Sequence, residues 1–184
     1  MLLTMFNCLL KRVVSNFFYV LYRIHLLPSK ENCFRILLYH SINGLAAKDT
    51  VNFCVAPKEF EKQMQFISES GFKVVSLTEA VNKIERKETF SGKELVITFD
   101  DGYTDVKKYA APILNKYNFP FTLFVISDKA KKNTNLTYLD EWAYLKDPDL
   151  KEMVGYNVSI GSHSKSHLKL TLLPTNGIAE QAYI

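Results

Sequence analysis

The chain has 184 residues, 47% of them hydrophobic, and a formal net charge of +4, which is enough sequence for one domain with a sizeable core. Seven glycines and six prolines are too few for a collagen-like or low-complexity chain, and 23% charged with 13% aromatic residues does not fit a disordered tail. Three cysteines, Cys8, Cys33 and Cys54, are too few for a disulfide framework and indicate reduced thiols in a cytosolic or cytosol-facing protein.

All of the net charge lies in the first 30 residues, which contain four basic side chains and no acidic one. The whole chain has 23 basic and 19 acidic residues, so residues 31–184 carry 19 of each sign and are neutral. Because a neutral body lacks the basic surface of nucleic-acid-binding proteins, we expect no nucleic-acid partner.

An amphipathic helix is predicted for residues 1–30. Apolar residues recur there at steps of three and four from Leu3 to Leu27, which is the period of one helical face, and Pro28 marks the end of the pattern. The basic residues fall mainly outside this apolar stripe.

Three interpretations of this N-terminal helix stay open. Only ten residues separate Arg12 from Arg23, whereas a transmembrane span needs about 20 apolar residues, and no small-residue cleavage site of a signal peptide follows. The helix packs on the domain, or residues 1–27 contact an anionic membrane surface peripherally, or the segment is an uncleaved signal anchor. We therefore expect a cytoplasmic or cytoplasmic-membrane-associated protein.

After the N-terminal segment, short apolar runs alternate with amphipathic stretches. The predicted strands cover residues 34–39, 73–77, 94–99, 121–126 and 157–160. The first predicted helix runs from Pro57 to near Gly71 with Phe60, Met64, Phe66 and Ile67 inward, and the second begins at Thr78 with Ala80, Val81 and Ile84 inward. Further helices are predicted over 104–117, over about 138–153 and from Ile178. Residues 41–56 are predicted to form a loop. Strands that alternate with helices predict parallel βαβ units, in a barrel or in an open doubly wound sheet.

Two adjacent acids, Asp100 and Asp101, stand where the most apolar predicted strand ends, in the run Thr98 to Tyr103, and Gly102 lets the chain turn. Active sites of parallel sheets and barrels form at the carboxyl ends of strands. Adjacent carboxylates repel each other there unless a cation or a proton compensates. The alternative interpretation is that one of them caps the following helix.

Two of the four histidines, His163 and His167, lie four positions apart after the last predicted strand. On a helical turn this spacing brings both imidazoles to one side, within reach of one ion. Because both motifs follow strands, we expect them at the same edge of the sheet. One carboxylate with two imidazoles is a common ligand set for a catalytic divalent metal, which leaves the second carboxylate to act as a base.

The runs Thr98 to Tyr103 and His163 to His167 resemble the first two motifs of the polysaccharide deacetylases (carbohydrate esterase family 4, the chitooligosaccharide deacetylase homology domain). The runs Arg35 to Ile42 and Phe60 to Leu77 are also similar to members of this family, so the resemblance covers residues 34 to about 173. It implies an α/β fold, the front portion of a distorted (β/α) barrel of the glycoside hydrolase/deacetylase type, which hydrolyses acetyl groups from N-acetylated or O-acetylated sugars of a polysaccharide.

By the same resemblance, Asp101, His163 and His167 bind a divalent metal, usually zinc, and Asp100 is the general base. The resemblance also makes Ser162 and Ser164 candidates for support of the ligands or for contact with the acetyl group, and it places Tyr103 at the mouth of the site as a substrate-binding residue. Other polar and aromatic residues receive structural interpretations: His40 as a satisfied structural histidine that alternatively faces the site, His25 as an interfacial residue of the N-terminal helix, and Trp142 and Tyr144 as the core or rim of a helix rather than a sugar platform.

Only 17 residues follow His167, and the later family motifs, an Arg-Pro segment, an Asp/Trp segment and a Leu-x-His segment, have no counterpart. We therefore expect residues 31–184 to be a partial deacetylase domain, shortened at its C-terminus, that is weak or inactive alone. The alternatives are a non-catalytic remnant that binds carbohydrate or metal, and another metal hydrolase on an α/β fold. The substrate stays open among peptidoglycan, chitin oligomers, exopolysaccharide and lipopolysaccharide precursors, with the N-terminal helix favouring an envelope glycan.

Overall fold

The computed structural model describes residues 32–44, 53–128, 143–153 and 155–182. The predicted helix over 1–30, with His25, lies outside the described residues, and so does Trp142. The strands are β1 (Phe34–Tyr39), β2 (Ser41–Ile42), β3 (Cys54–Val55), β4 (Lys73–Val74), β5 (Glu94–Phe99), β6 (Phe121–Val125) and β7 (Val158–Ser162). The helices are α1 (Pro57–Glu69), α2 (Leu77–Glu85), a π-helix (Val106–Ala110) that continues as α3 (Ala111–Lys116), α4 (Asp147–Met153), a 3₁₀ turn (Leu170–Leu172) and α5 (Thr175–Ala182).

The five predicted strands form one parallel sheet in the order β1-β5-β6-β7, with β4 paired to the first two residues of β5. The last residues of neighbouring strands are in register: Tyr39 is opposite Phe99, and Val125 is opposite Ser162. Parallel pairing therefore places the residues after β1, β5 and β7 at one edge of the sheet.

The core lies between one face of this sheet and helices α1 and α3. Phe99, at the end of β5, is fully buried and contacts the rings of Tyr39, Phe60 and Phe121 at centroid distances of 5.5, 5.9 and 5.7 Å. Helix α1 directs Phe60, Met64 and Ile67 inward at the i, i+4, i+7 spacing of one helical face. This packing fixes the end of β5, from which the two acids follow.

Three residues predicted to face the core are instead exposed. Phe66 of α1 is 40% exposed, and Val81 and Ile84 of α2 are 41% and 54% exposed. In α1 only Phe60, Met64 and Ile67 are buried, and Phe66 lies to the side of the face that they form. In α2 only Ala80 is buried.

Other predictions on the element boundaries were wrong. The strand predicted over 73–77 is limited to Lys73–Val74, and the helix predicted from Ile178 begins at Thr175. The segment predicted as a loop over 41–56 contains β2 and β3, which pair with each other. The helix predicted to span about 138–153 is observed from Asp147, because the preceding Tyr144 is paired in an antiparallel bridge with Tyr103. The structure places Tyr144 beside the acidic motif rather than on a helix.

Strands β1 and β7 are the edges of the described sheet and carry exposed apolar side chains. Ile36 and Leu38 are 52% and 54% exposed, and Ile160 is 44% exposed. Among the helices that the structure describes, none combines the length and the hydrophobicity that a membrane crossing requires.

Candidate metal centre

A tight turn after β5 directs Asp101 into the protein. The amide of Asp100 donates to the carbonyl of Tyr39 at 2.9 Å, which continues the sheet pairing one residue beyond the strand. Asp101 and Gly102 then adopt left-handed φ angles of +72° and +80°. A Cβ at position 102 would lie 3.0 Å from Cγ1 of Val125, so the turn needs glycine both for conformation and for space. The turn leaves Asp101 5% exposed.

Tyr103 supports this turn from inside the protein. Its ring is 7% exposed and stacks on Tyr144 at 5.2 Å, and backbone hydrogen bonds from Thr104 to Ala143 and from Leu145 to Gly102, both 2.8 Å, hold the two segments together. Burial and the negative charge of Asp101 raise the pKa of Tyr103 far above its ordinary value. Tyr103 is therefore buried against Tyr144, which corrects the prediction that it lines the mouth of the site.

The two histidines lie in a loop after β7, not on the helical turn that their spacing predicted. The amide of His163 donates to the carbonyl of Val125 at 2.8 Å, which ties the start of the loop to β6. Ser164 and His167 adopt left-handed φ angles of +63° and +54°. Ser162 Oγ accepts from the amide of Ser164 at 3.3 Å, and Ser164 Oγ accepts from the amide of His167 at 3.1 Å. The loop brings the two imidazole centroids within 4.8 Å of each other.

The three predicted ligands converge. His163 Nε2 lies 3.6 Å from Asp101 Oδ1, and His167 Nε2 lies 3.5 Å from the same oxygen. One donor atom of each residue falls within 4.8 Å of the other two. Two ligands bound about 2.1 Å from a tetrahedral zinc ion lie about 3.4 Å apart. An oxygen and two imidazole nitrogens are also ligand types that zinc prefers, so both the donor set and its spacing fit a zinc ion.

Asp100 lies beside the three ligands without joining them. Its Oδ2 is 4.0 Å from His163 Nε2, and its side chain is 17% exposed. The two adjacent acids therefore differ in their surroundings: Asp101 is enclosed among the ligands, whereas Asp100 lies at the border with solvent. The structure thus gives the two acids different surroundings, with Asp101 among the histidines and Asp100 beside them.

His40 follows β1 at the same edge of the sheet, but its recorded contact is with Phe53, at a ring-centroid distance of 5.2 Å. Among the described residues, His40 does not belong to the group whose donor atoms converge on Asp101. This placement agrees with the structural interpretation of His40.

Sequence reasoning missed a buried polar cluster next to the acidic turn. Asp105 is 1% exposed, and its Oδ2 accepts hydrogen bonds from Ser41 Oγ and, at 2.9 Å, from Asn43 Nδ2. Cys54 Sγ lies 2.9 Å from Asn43 Oδ1. The cluster joins β2 and β3 to the helix that follows Asp101. The local indication of this cluster in the sequence was that Asp105 directly precedes Val106, the first apolar residue of the helix predicted over 104–117.

Sequence reasoning also missed Gln181, near the end of α5. It is 5% exposed and contacts the histidine loop through Ser166. No local pattern singles out this glutamine, because its partner is reached only when α5 folds back on the loop.

Comparison with known protein families and sequences places these motifs in context. A family model described as polysaccharide deacetylase matches residues 87–183. The protein YxkH of Bacillus subtilis is 34% identical over 146 residues, which are 79% of this chain and 46% of that protein. A poly-β-1,6-N-acetyl-D-glucosamine N-deacetylase of Staphylococcus aureus is 28% identical over 138 residues, 69% of this chain and 46% of that enzyme. The chain thus spans about half the length of the curated relatives it matches.

Solved structures agree with the predicted fold. The deacetylase PplD of Streptococcus pyogenes, solved in complex with acetate, matches with a TM-score of 0.67 and 27% identity over 80% of this chain and 63% of that one. IcaB of Ammonifex degensii matches with a TM-score of 0.65 and 25% identity over 82% and 65% of the two chains. These matches confirm the deacetylase-type α/β fold, and with the family model they show that the chain belongs to the polysaccharide deacetylase family.

Proposed function

We propose that Asp101, His163 and His167 bind a zinc ion in a hydrolase that removes acetyl groups from N-acetylated or O-acetylated sugars of a polysaccharide. The observation that carries the proposal is the convergence of both histidine Nε2 atoms on Asp101 Oδ1 at 3.6 and 3.5 Å. When bound, the ion supplies a Lewis acid for the acetyl carbonyl and lowers the pKa of water.

Asp100 is the proposed general base. Its carboxylate lies next to the ligand group and borders solvent, with 17% of the side chain exposed. A carboxylate in that position accepts the proton of a water molecule that attacks the acetyl carbon, and it orients that water by the same hydrogen bond. Asp101 is unsuited to this task because its carboxylate faces both histidines and Tyr103.

The three predicted substrate-binding residues receive different roles. Ser162 is exposed at the end of β7, so its side chain is available to a sugar or to the acetyl group. Ser164 orders the histidine loop through the amide of His167. Tyr103 supports Asp101 from the buried side. We therefore assign substrate contact to Ser162, and support of the ligands to Ser164 and Tyr103.

A non-catalytic metal- or carbohydrate-binding module is the second candidate. It rests on the same geometry, since the Asp101–His163–His167 group is sufficient to hold an ion, whereas turnover also requires a base such as Asp100. Deacetylase activity of the chain and zinc binding by the chain are therefore tested separately.

The test combines zinc titration calorimetry with an acetate-release assay on N-acetylglucosamine oligomers, using the full chain. We expect one zinc ion per chain, loss of binding in Asp101→Asn, and retained binding in Asp100→Asn with acetate release lowered about 10²- to 10⁴-fold. Zinc binding without acetate release by the wild-type chain would favour the non-catalytic module. Absence of zinc binding by the wild-type chain would contradict the metal centre itself.

We further propose that residues 1–27 contact the cytoplasmic membrane surface peripherally. The apolar stripe and the three unopposed basic residues Lys11, Arg12 and Arg23 support this proposal. We expect the full chain to sediment with anionic vesicles at low salt, and a smaller fraction of it to do so at high salt. We expect no sedimentation with neutral vesicles. Equal sedimentation of a chain lacking residues 1–30 would overturn it.

A further inference from the structure

The histidine loop has anchors on two sides. On the β6 side, the carbonyls of Ser164 and Lys165 accept from the amides of Ser127 and Asp128 at 3.3 and 2.7 Å. On the other side, its partner is Gln181 of α5. The β6-side contacts hold the start of the loop near His163, whereas Gln181 holds the part that leads into His167.

Gln181 makes three hydrogen bonds with this loop. Its side-chain Oε1 accepts from the amide of Ser166 at 2.9 Å and from Ser166 Oγ at 3.0 Å, and its backbone carbonyl accepts from the amide of Lys165 at 3.0 Å. A backbone amide only donates, so the oxygen rather than the nitrogen of Gln181 faces Ser166. Gln181 and Ser166 are 5% and 8% exposed, which largely shields these bonds from water.

The backbone of His167 is held by Ser164 and by the residue before it. Ser164 Oγ accepts from the amide of His167 at 3.1 Å, and His167 has a left-handed φ of +54°, so its position depends on how the preceding Ser166 is held. The side chain of His167 is 44% exposed, so little packing holds its ring in place. The hydrogen bonds of Ser166 with Gln181 therefore provide the nearest buried anchor for the second imidazole.

We infer that Gln181 is a positioning residue for the Asp101–His163–His167 centre, acting through Ser166 to hold His167 Nε2 within ligand distance of Asp101. The inference rests on the proposed zinc site and goes beyond it, because it makes the affinity of that site depend on α5. Residues that orient metal ligands in this way change metal affinity by about 10- to 100-fold when removed.

The test compares the zinc affinity of four full-length chains by competition with a chromophoric chelator. Gln181→Leu keeps a similar volume and removes the acceptor, whereas Gln181→Glu keeps an oxygen acceptor. Gln65→Leu is the matched control, since it makes the same change at an exposed position of α1, where the side chain hydrogen-bonds Glu69 on the same helix. We expect zinc affinity to fall about 10- to 100-fold in Gln181→Leu and to stay within threefold of wild type in the other two.

Thermal unfolding in the presence of a chelator separates positioning from folding. We expect the metal-free melting temperature of Gln181→Leu to fall by only a few degrees while zinc affinity falls strongly, and amide hydrogen exchange at His167 to accelerate. If Gln181→Leu does not fold, Ser166→Ala replaces it, and the expected loss of affinity is about threefold to tenfold.

Unchanged zinc affinity in a folded Gln181→Leu chain, beside a wild-type chain that binds zinc, would overturn the inference and leave the proposed function intact. Failure of the wild-type chain to bind zinc would overturn the proposed metal site and the inference with it.

Discussion

His167 Nε2 lies 3.5 Å from Asp101 Oδ1, although the two residues follow different strands of the sheet, β7 and β5. The distance exceeds that of a hydrogen bond and matches the spacing of two ligands on one small ion. The parallel register of β5, β6 and β7 brings the two strand ends to one edge, and the left-handed residues of both loops direct the side chains towards each other.

The variant His167→Ala tests whether His167 is a metal ligand, by comparison with a histidine that only lies at the same edge of the sheet. His167→Ala leaves two protein ligands, so we expect zinc affinity to fall at least 100-fold. His40→Ala serves as the control, because His40 follows β1 at the same edge but contacts Phe53 instead, and its zinc affinity should stay within threefold of wild type. Isothermal titration measures both. A large loss of zinc affinity in His40→Ala would mean that His40 belongs to the centre.

Gly161→Ala tests the packing beneath the histidine loop. A Cβ at this position would lie 2.6 and 2.7 Å from two ring carbons of Phe124, which is closer than carbon atoms approach in proteins. We expect a loss of about 1 to 3 kcal/mol in the free energy of unfolding, measured in urea. Gly155→Ala is the control, since its Cβ would find its nearest neighbour at 3.6 Å. Removal of the ring in the double variant Gly161→Ala/Phe124→Leu should recover part of the loss, and equal stability of Gly161→Ala and wild type would contradict the close approach.

Asp105→Ala tests the buried polar cluster. The change leaves the Ser41 hydroxyl and the Asn43 amide without their shared acceptor, and each buried donor left in this way costs about 1 to 3 kcal/mol. We expect the free energy of unfolding to fall by about 2 to 4 kcal/mol, whereas Asp147→Asn, at an exposed position, changes it by less than about 0.5 kcal/mol. Equal unfolding midpoints for the two variants would show that the cluster does not stabilise the fold.

Glu94, at the start of β5, gives the fold a pH dependence. Burial by itself would raise its pKa, but hydrogen bonds from Ser91 and Lys83 outweigh that effect and lower the pKa to about 2 from an ordinary 4.5. The depressed pKa means that this stabilisation is fully present above about pH 4.5 and is lost as the pH falls towards 2.

Glu94→Gln removes this dependence. We expect the variant to be less stable than wild type by about 1 to 3 kcal/mol at pH 7, and the difference to shrink as the pH falls from 4.5 to 3. Urea unfolding at pH 7, 4.5 and 3 measures it. Glu59→Gln removes an exposed ion pair with Lys62 and should show a small difference at every pH. A Glu94→Gln difference that stays constant with pH would contradict the assigned pKa.

Local patterns were sufficient for the strands of the sheet and for the edge at which the candidate site lies. A continuous apolar run predicts a fully buried strand, as in β5, and alternation of strands with helices predicts parallel pairing. Parallel pairing then requires that residues after neighbouring strands share an edge, so the acidic pair and the two histidines could be grouped before their distances were known, and the family resemblance singled out Asp101 as the ligand. Patterns were insufficient for Phe66, Val81 and Ile84, since the width of a helix face in contact with the sheet depends on the neighbouring elements.

The sequence by itself indicated which residues to group into a candidate metal centre, because strand ends, a turn glycine and ligand types are local features, and the family resemblance supplied the proposed roles of Asp100 and Asp101. Only the tertiary structure decided how those residues are held: a loop rather than a helical turn at His163 and His167, Tyr103 behind Asp101, and Gln181 behind Ser166. Each of these contacts joins segments that are distant in the chain, and hydrogen bonds between such segments depend on backbone positions that no local periodicity encodes.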